Sequence, residues 1–257
     1  MINNKRNLQD VTFVIPLKLD SEDRKRNLRI CVNFIERHFD TNIIVCENDK
    51  VSNKDYVKTV SSKIKYMFDE DKTGIFKYTK ILNDMTKEAT TPIIANYDVD
   101  CIFNPDAILS AVEAIRSKSF DVVFPYGGPF VDVKPSQFHH IENDTITDIN
   151  VSECQVLHPQ SCGGCIFFDK QKYYEAGLEN EKQISWGFAD NERMARINIL
   201  EYRIGRVPGN CYHMSHSRDH NGWFSEHTKQ NEIEFNKVAS MKKEQLKEYI
   251  KTFEWLN

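Results

Sequence analysis

The segment Pro92-Ile93-Ile94-Ala95-Asn96-Tyr97-Asp98-Val99-Asp100 constrains the fold more than any other stretch of the chain. Its apolar run reads as a buried strand, and it stops at two carboxylates one residue apart. In open α/β folds the carboxyl ends of the strands are where ligands bind. Paired carboxylates there attract a hard divalent cation, and such a cation most often serves phosphate oxygens. The expectation is a metal-dependent enzyme acting on a nucleotide diphosphate, with Asp98 and Asp100 as metal ligands.

The flanking pattern fits such a sheet. Val11–Leu17 is a nearly continuous apolar run that reads as a central parallel strand. Ser21-Glu22-Asp23 then caps a helix with Leu28, Cys31, Val32, Ile35 and Phe39 on one face. Ile43–Cys46 is a second strand, ending at Glu47-Asn48-Asp49, and Gly74–Ala89 a second helix that leads into the Asp-x-Asp strand. Asn104-Pro105 opens another helix as N-cap and first-turn proline, and Asp121–Tyr126 is a further strand. Alternating strands and helices over about 125 residues predict an α/β fold with a doubly wound, mostly parallel sheet.

Beyond it the pattern loosens. Residues 127–160 read as elaborated loop with short antiparallel strands, Cys165–Phe168 and Tyr202–Val207 as strands, and about 190–200 as a helix between them. Glu226–Trp255 is charged and helical in period, with Ile233, Val238, Met241, Leu246, Tyr249 and Phe253 as docking residues. One domain over residues 1–257 is expected: a ligand-binding half at about 11–125, a catalytic half at about 126–225 and a helical extension at 226–257.

A net charge of −4 and a pI near 6.1 give no footprint for nucleic acid. The seven cysteines form no framework and are read as reduced thiols. Cys162-Gly163-Gly164-Cys165 has redox spacing, but it has no partner pair for zinc, so structural thiols are expected. The N-terminus lacks an apolar leader and no run approaches a bilayer span, which predicts a cytoplasmic protein.

Two more clusters bear chemistry. In Tyr212-His213-Met214-Ser215-His216-Ser217-Arg218, either His213 or His216 could supply an imidazole to the acidic pair's cation; the plain alternative is two surface loop histidines. A histidine ligand would favour Mn²⁺ over Mg²⁺. In Ser185-Trp186-Gly187-Phe188-Ala189-Asp190-Asn191-Glu192, Asp190 is either a helix N-cap or a general base, and Trp186 a platform for a sugar ring. Trp223 reads as loop packing ahead of an acceptor groove, and His139 and His140 as loop residues.

Asp98-Val99-Asp100, Cys162-Gly163-Gly164-Cys165, Trp186-Gly187-Phe188-Ala189-Asp190 and His216-Ser217-Arg218-Asp219 occur in the order and approximate spacing of GT-A fold glycosyltransferases. Over roughly residues 11 to 220 the chain resembles the animal Golgi β-galactosyltransferases, with polypeptide N-acetylgalactosaminyltransferases and bacterial chondroitin polymerases as wider relatives. The resemblance implies a Rossmann-like sheet and an inverting transfer of a hexose or N-acetylhexosamine from a UDP-sugar to a carbohydrate or glycolipid acceptor. It implies that Asp98, Val99 and Asp100 approach the ribose and Mn²⁺, with Asp100 the more direct ligand, His216 the histidine ligand and His213 in the place of a methionine. It also implies Asp190 as base, Pro16, Lys18, Asp20, Arg24, Arg26 and Glu47 around the nucleotide, and Gly164, Trp186 and Gly187 toward the acceptor.

One departure stands out. Phe188-Ala189 replaces the family's Gly-Glu, and that Glu contacts the acceptor sugar. Two other readings remain: a nucleotidyltransferase, for which the segment after the first strand lacks a glycine-rich phosphate loop, and a non-catalytic carbohydrate-binding protein. A lipid-linked acceptor would bring the protein to the cytoplasmic face of a membrane, a role that the mixed charge of the last helix does little to support.

Overall fold

The computed structural model describes residues 5–217 and 224–256. Arg218, Asp219 and Trp223, named above, lie outside the described residues. In chain order the elements are β1 (Arg6–Leu17), α1 (Glu22–His38), β2 (Phe39–Asp49), α2 (Lys54–Val60), β3 (Lys65–Glu70), α3 (Tyr78–Glu88), β4 (Ile93–Tyr97), β5 (Cys101–Ile102), α4 (Pro105–Arg116) and β6 (Val122–Phe124). There follow β7 (Phe130–Val133), α5 (Phe138–Glu142), β8 (Gln155–His158), β9 (Cys165–Asp169), α6 (Lys170–Glu175), α7 (Ala189–Ile199), β10 (Ile204–Arg206), β11 (Cys211–Met214), α8 (Glu226–Ala239) and α9 (Lys243–Ile250).

Among the described residues the strands make two sheets. The larger has the order β10-β6-β9-β4-β1-β2-β3. All its pairs are parallel except those of β9, which runs antiparallel between β4 and β6. The expected α/β architecture with a mostly parallel sheet is therefore present. The smaller sheet, β5-β11-β7-β8, takes β7 and β8 from the segment expected to be loop with short antiparallel strands, and β5 and β11 from outside it. Its β11 pairs with β5 just after the Asp-x-Asp turn, so residues 211–214 are fixed against residues 101–102.

Local chemistry sets the boundaries. Ser21 caps α1 by accepting from Arg24 N, and Asn104 caps α4 by accepting from Asp106 N, with Pro105 in the first turn. The second expected helix starts four residues late, at Tyr78. Asp71 holds the preceding turn: its carboxylate accepts from Thr73 Oγ1 (2.5 Å) and Gly74 N (2.9 Å) and pairs with Lys77 Nζ (2.8 Å), while Gly74 sits at φ 81°. The C-terminal helical stretch is two helices, broken at 240–242. Val238, Leu246 and Phe253 dock as expected, but Ile233 is 61% exposed because it lies off the inward face of α8. No described helix is long and apolar enough to cross a membrane.

β4 is buried throughout because it lies between β1 and β9, and its Asn96 amide donates to Tyr173 Oη (2.8 Å) and Glu179 Oε1 (3.1 Å). Under it, the Phe13 ring meets the edges of Tyr97 (centroids 5.5 Å apart) and Phe167 (5.9 Å). This aromatic contact fixes the strand that delivers the acidic pair. Phe13→Ala would remove a fully buried ring at the sheet's centre, and urea denaturation is expected to show a loss of about 3–5 kcal/mol. A loss below about 1 kcal/mol would show that this contact does not anchor the sheet.

Candidate active site

The chain leaves β4 at Tyr97, turns through Asp98, Val99 and Asp100, and re-enters a sheet at Cys101. The turn is closed by Cys101 N donating to Asp98 O (3.0 Å). Two distant segments hold it. Asp98 N donates to Gly164 O (2.8 Å) and Gly164 N donates to Asp98 Oδ2 (3.2 Å), while Met214 N donates to Asp100 O (2.7 Å). Tyr78 Oη, on α3, donates to Asp98 Oδ1 (3.1 Å). Val99 turns its side chain into the core, so it offers a ligand only backbone.

Positive groups gather on Asp100. Its Oδ2 lies 2.8 Å from Arg24 Nη1, 3.0 Å from His216 Nε2 and 3.8 Å from His213 Nε2. Asp100, His213 and His216 can offer one ligand atom each within 4.8 Å of one another. Both histidines are thus brought to the acidic pair, and His213 is a buried strand residue rather than a surface one.

The ring orientations fit a cation. His216 Nδ1 lies 2.6 Å from Ser217 O, an acceptor, so Nδ1 donates to that carbonyl and Nε2 faces Asp100. His213 Nδ1 lies 2.6 Å from Asp132 Oδ1, which likewise directs Nε2 inward. One carboxylate and two imidazoles could together hold a divalent metal ion. Asp132 was not anticipated; its one signal was alternation in Val131-Asp132-Val133, inside a segment read as loop.

The two carboxylates of the pair differ in basicity. Burial, the Asp100 charge and the Asp190 charge push Asp98 up to about 8. Burial works the same way on Asp100, but His213, His216 and Arg24 overcome it and hold that carboxyl well below the usual range.

Asp190 stands on the other side of the Gly163-Gly164 turn. A Cβ on Gly163 would lie 2.7 Å from Asp190 Oδ2, so any other residue there would displace that carboxylate. The side chain of Asp190 is 38% exposed, and Arg193 Nη2 pairs with its Oδ1. Arg193 is itself buried, and bonds Glu179 Oε1 (2.9 Å) and Cys162 O (3.2 Å). The dense surroundings raise the Asp190 carboxyl above its ordinary value, with Glu179 adding to the rise and Arg193 opposing it. Arg193 and Glu179 were also missed, because neither belongs to a motif. Trp186 is 47% exposed, and Gly187 sits at φ 101°.

Phe188, where the resemblance implies glycine, keeps a glycine-like backbone with φ 65°. Ala189 opens α7 and leaves the place of the family's Glu without a carboxylate.

The remaining nucleotide-side residues separate. Arg26 bonds Asp23 Oδ1 (2.9 Å) and Ser215 O (3.0 Å), which ties α1 to the histidine segment. Lys18 Nζ lies 3.6 Å from Asp49 Oδ1 at the sheet's carboxyl edge, Asp20 is exposed beyond β1, and Pro16 is buried within the strand. Glu47 departs from expectation. It is fully buried, with its oxygens accepting from Asn53 N (2.8 Å), Asn53 Nδ2 (2.6 Å) and Tyr66 Oη, so it braces the loop after β2 instead of facing a base.

No family model and no curated protein matches the sequence. Solved structures do match in fold. The catalytic domain of Drosophila β1,4-galactosyltransferase 7, determined with xylobiose, superposes with a TM-score of 0.55 at 14% identity over 91% of this chain and 82% of that one. A mannosyltransferase from Pyrobaculum calidifontis, determined with GDP-mannose and Mn²⁺, gives 0.53 at 14% identity over 81% of this chain and 58% of its own.

Cation binding at this site should release the Asp98 proton. Titration with Mn²⁺ is expected to give an affinity that rises up to about tenfold per pH unit below about pH 8 and then levels. Folded Asp98 holds its proton more tightly than unfolded Asp98. In the cation-free protein its contribution to stability therefore declines as pH climbs from the ordinary carboxylate range to about 8. A flat pH dependence would show that Asp98 keeps no proton to release. Asp132→Ala should weaken Mn²⁺ by about 10–100-fold in the same titration.

These neighbours and the α/β topology establish one thing about the chain's identity: it has the GT-A-like fold of glycosyltransferase catalytic domains.

Proposed function

We propose that this chain is a metal-dependent inverting glycosyltransferase that moves a hexose or N-acetylhexosamine from a UDP-sugar to a hydroxyl of a carbohydrate or glycolipid. The reading rests above all on the Gly163-Gly164 turn, whose second residue bonds Asp98 while its first packs against Asp190. One short turn therefore separates a cation-type site from a carboxylate with raised proton affinity. Support also comes from the neighbours, one determined with a disaccharide and the other with a sugar nucleotide and Mn²⁺.

The roles follow from charge and position. Arg24, Arg26 and Lys18, at the carboxyl end of β1 and the start of α1, offer positive charge to a diphosphate. Asp100, His213 and His216 hold the cation, which when bound supplies neutralising charge for the leaving nucleotide. Asp190 takes the proton of the acceptor hydroxyl as the bond from the anomeric carbon to the diphosphate breaks and the new glycosidic bond forms. Arg193 keeps the Asp190 carboxylate aimed, and the rise caused by burial makes it a better base. Trp186 presents a ring face to the acceptor.

Thermal unfolding with UDP, Mn²⁺ and both is the direct test, since a ligand of the native state raises apparent stability. A shift that needs both and is lost in Asp100→Ala is expected. A response to GDP but not UDP would keep the cation site and overturn the donor class, an outcome that the GDP-mannose neighbour makes worth measuring. No response to any nucleotide would favour a non-catalytic binding protein. Asp190→Asn is expected to lower transfer about 10²–10⁴-fold with nucleotide binding intact; full activity would remove Asp190 from the role of base.

A further inference from the structure

We propose that α8 belongs to the acceptor-side machinery: Asn231 and Thr228 act as positioning residues that hold 184–188 in a shape this segment would not keep alone, and so place Trp186 and Asp190. The inference rests on the reading that residues 186–190 face the acceptor.

The segment is strained. Ser185, Gly187 and Phe188 have φ of 61°, 101° and 65°, so three of four consecutive residues lie in the left-handed region. Glycine enters that region freely, but serine and phenylalanine do so at a cost, and a bulky aromatic is a genuine outlier. Such a conformation persists only where its surroundings over-determine it.

One face of α8 does so. Asn231 is 1% exposed, and its amide is spent on the segment: Oδ1 accepts from Ile184 N (3.0 Å) and Nδ2 donates to Ile184 O (2.8 Å) and Gly187 O (3.0 Å). Its backbone carbonyl accepts from Gln183 Nε2 (3.1 Å). One turn earlier, Thr228 Oγ1 donates to Trp186 O (3.1 Å), and its methyl lies 2.9 Å from where a Cβ on residue 187 would be. One turn later, the Phe235 ring stacks on Phe188 with centroids 5.6 Å apart. Positions 228, 231 and 235 share one helical stripe.

A stripe meant only to dock α8 would be apolar. This one instead places an amide and a hydroxyl on the backbone of the segment, leaving the Trp186 side chain half exposed while its carbonyl is held. The grip reaches Asp190 as well. Phe188 is the N-cap of α7 and its carbonyl accepts from Glu192 N (2.8 Å), so the conformation at 188 sets where α7 begins.

The test compares Asn231→Ala, Thr228→Val, which keeps size but loses the hydroxyl, and Thr228→Ser, which keeps the hydroxyl. Hydrogen exchange is followed at 184–190, UDP affinity is measured with Mn²⁺, and the UDP- and Mn²⁺-loaded protein is bound to an array of immobilised mono- and disaccharides. Asn231→Ala and Thr228→Val are expected to speed exchange at 184–190 and weaken sugar binding about tenfold or more, with UDP affinity within about twofold of wild type and Thr228→Ser close to it. Unchanged exchange, unchanged sugar binding, or an equal loss of UDP affinity in both disruptive variants would overturn the inference. Wild type that binds UDP and Mn²⁺ but no sugar would instead overturn the acceptor-side reading on which it rests.

Discussion

Repulsion among carboxylates organises this molecule. Asp100 and Asp190 raise the proton affinity of Asp98, and Glu179 raises that of Asp190. Most of the balancing charge comes from outside the turn that carries the acidic pair. It comes from α1 through Arg24, from β11 and the residues after it through His213 and His216, and from α7 through Arg193. The larger sheet brings Gly164 to Asp98 by running β9 antiparallel to β4, and the smaller one brings His213 to Asp100 by pairing β11 with β5. The second half of the chain is irregular because it must route these groups to one edge.

The cost of routing appears as backbone strain where the chain approaches the site. Gly164, at φ 81°, passes so close to β5, β7 and β11 that a Cβ would lie 3.0 Å from Cys211 Sγ, 3.1 Å from the Phe130 ring and 3.2 Å from Cys101 Sγ. Glycine resolves that crowding at little cost. The Ser185–Phe188 segment has no such easy answer, since two of its left-handed positions carry side chains. There the conformation depends on partners in α8, a helix that the sequence suggested was a charged appendage.

What was legible in the sequence follows from this division. β1, β2, β4, α1 and α4 were found because periodicity and caps are local properties, although β1 begins at Arg6 and Phe39, read onto the face of α1, opens β2; the Asp-x-Asp turn read correctly because it ends a strand with an unmistakable apolar run. The histidines were found by residue type. Asp132, Arg193, Glu179 and Asn231 were not, since each acts through a partner at least three and up to 81 residues away, as for Asp132 and His213. Glu47 shows the converse. Its position at the end of β2 was right, yet Asn53 and Tyr66 claim its oxygens, and nothing local to residues 43–49 announces that. The late start of α3 has the same origin, because Asp71 outbids helix formation with three partners within six residues.

The buried pair under Asp190 bears on why such a site keeps its geometry. Arg193 and Glu179 are almost wholly shielded from water, and desolvating both charges offsets most of what their attraction gains, so the pair is a poor source of stability. It is a good source of position. The guanidinium is planar, and here it is shared among Glu179, Asp190 and the Cys162 carbonyl, three groups from three parts of the chain. Moving Asp190 would leave Glu179 as the one remaining carboxylate of the three groups that share the guanidinium. The Cys162 bond extends that constraint to the turn whose next two residues touch Asp190 and Asp98. The carboxylate proposed as base is thus tied by the Arg193 guanidinium to the turn whose Gly164 bonds Asp98.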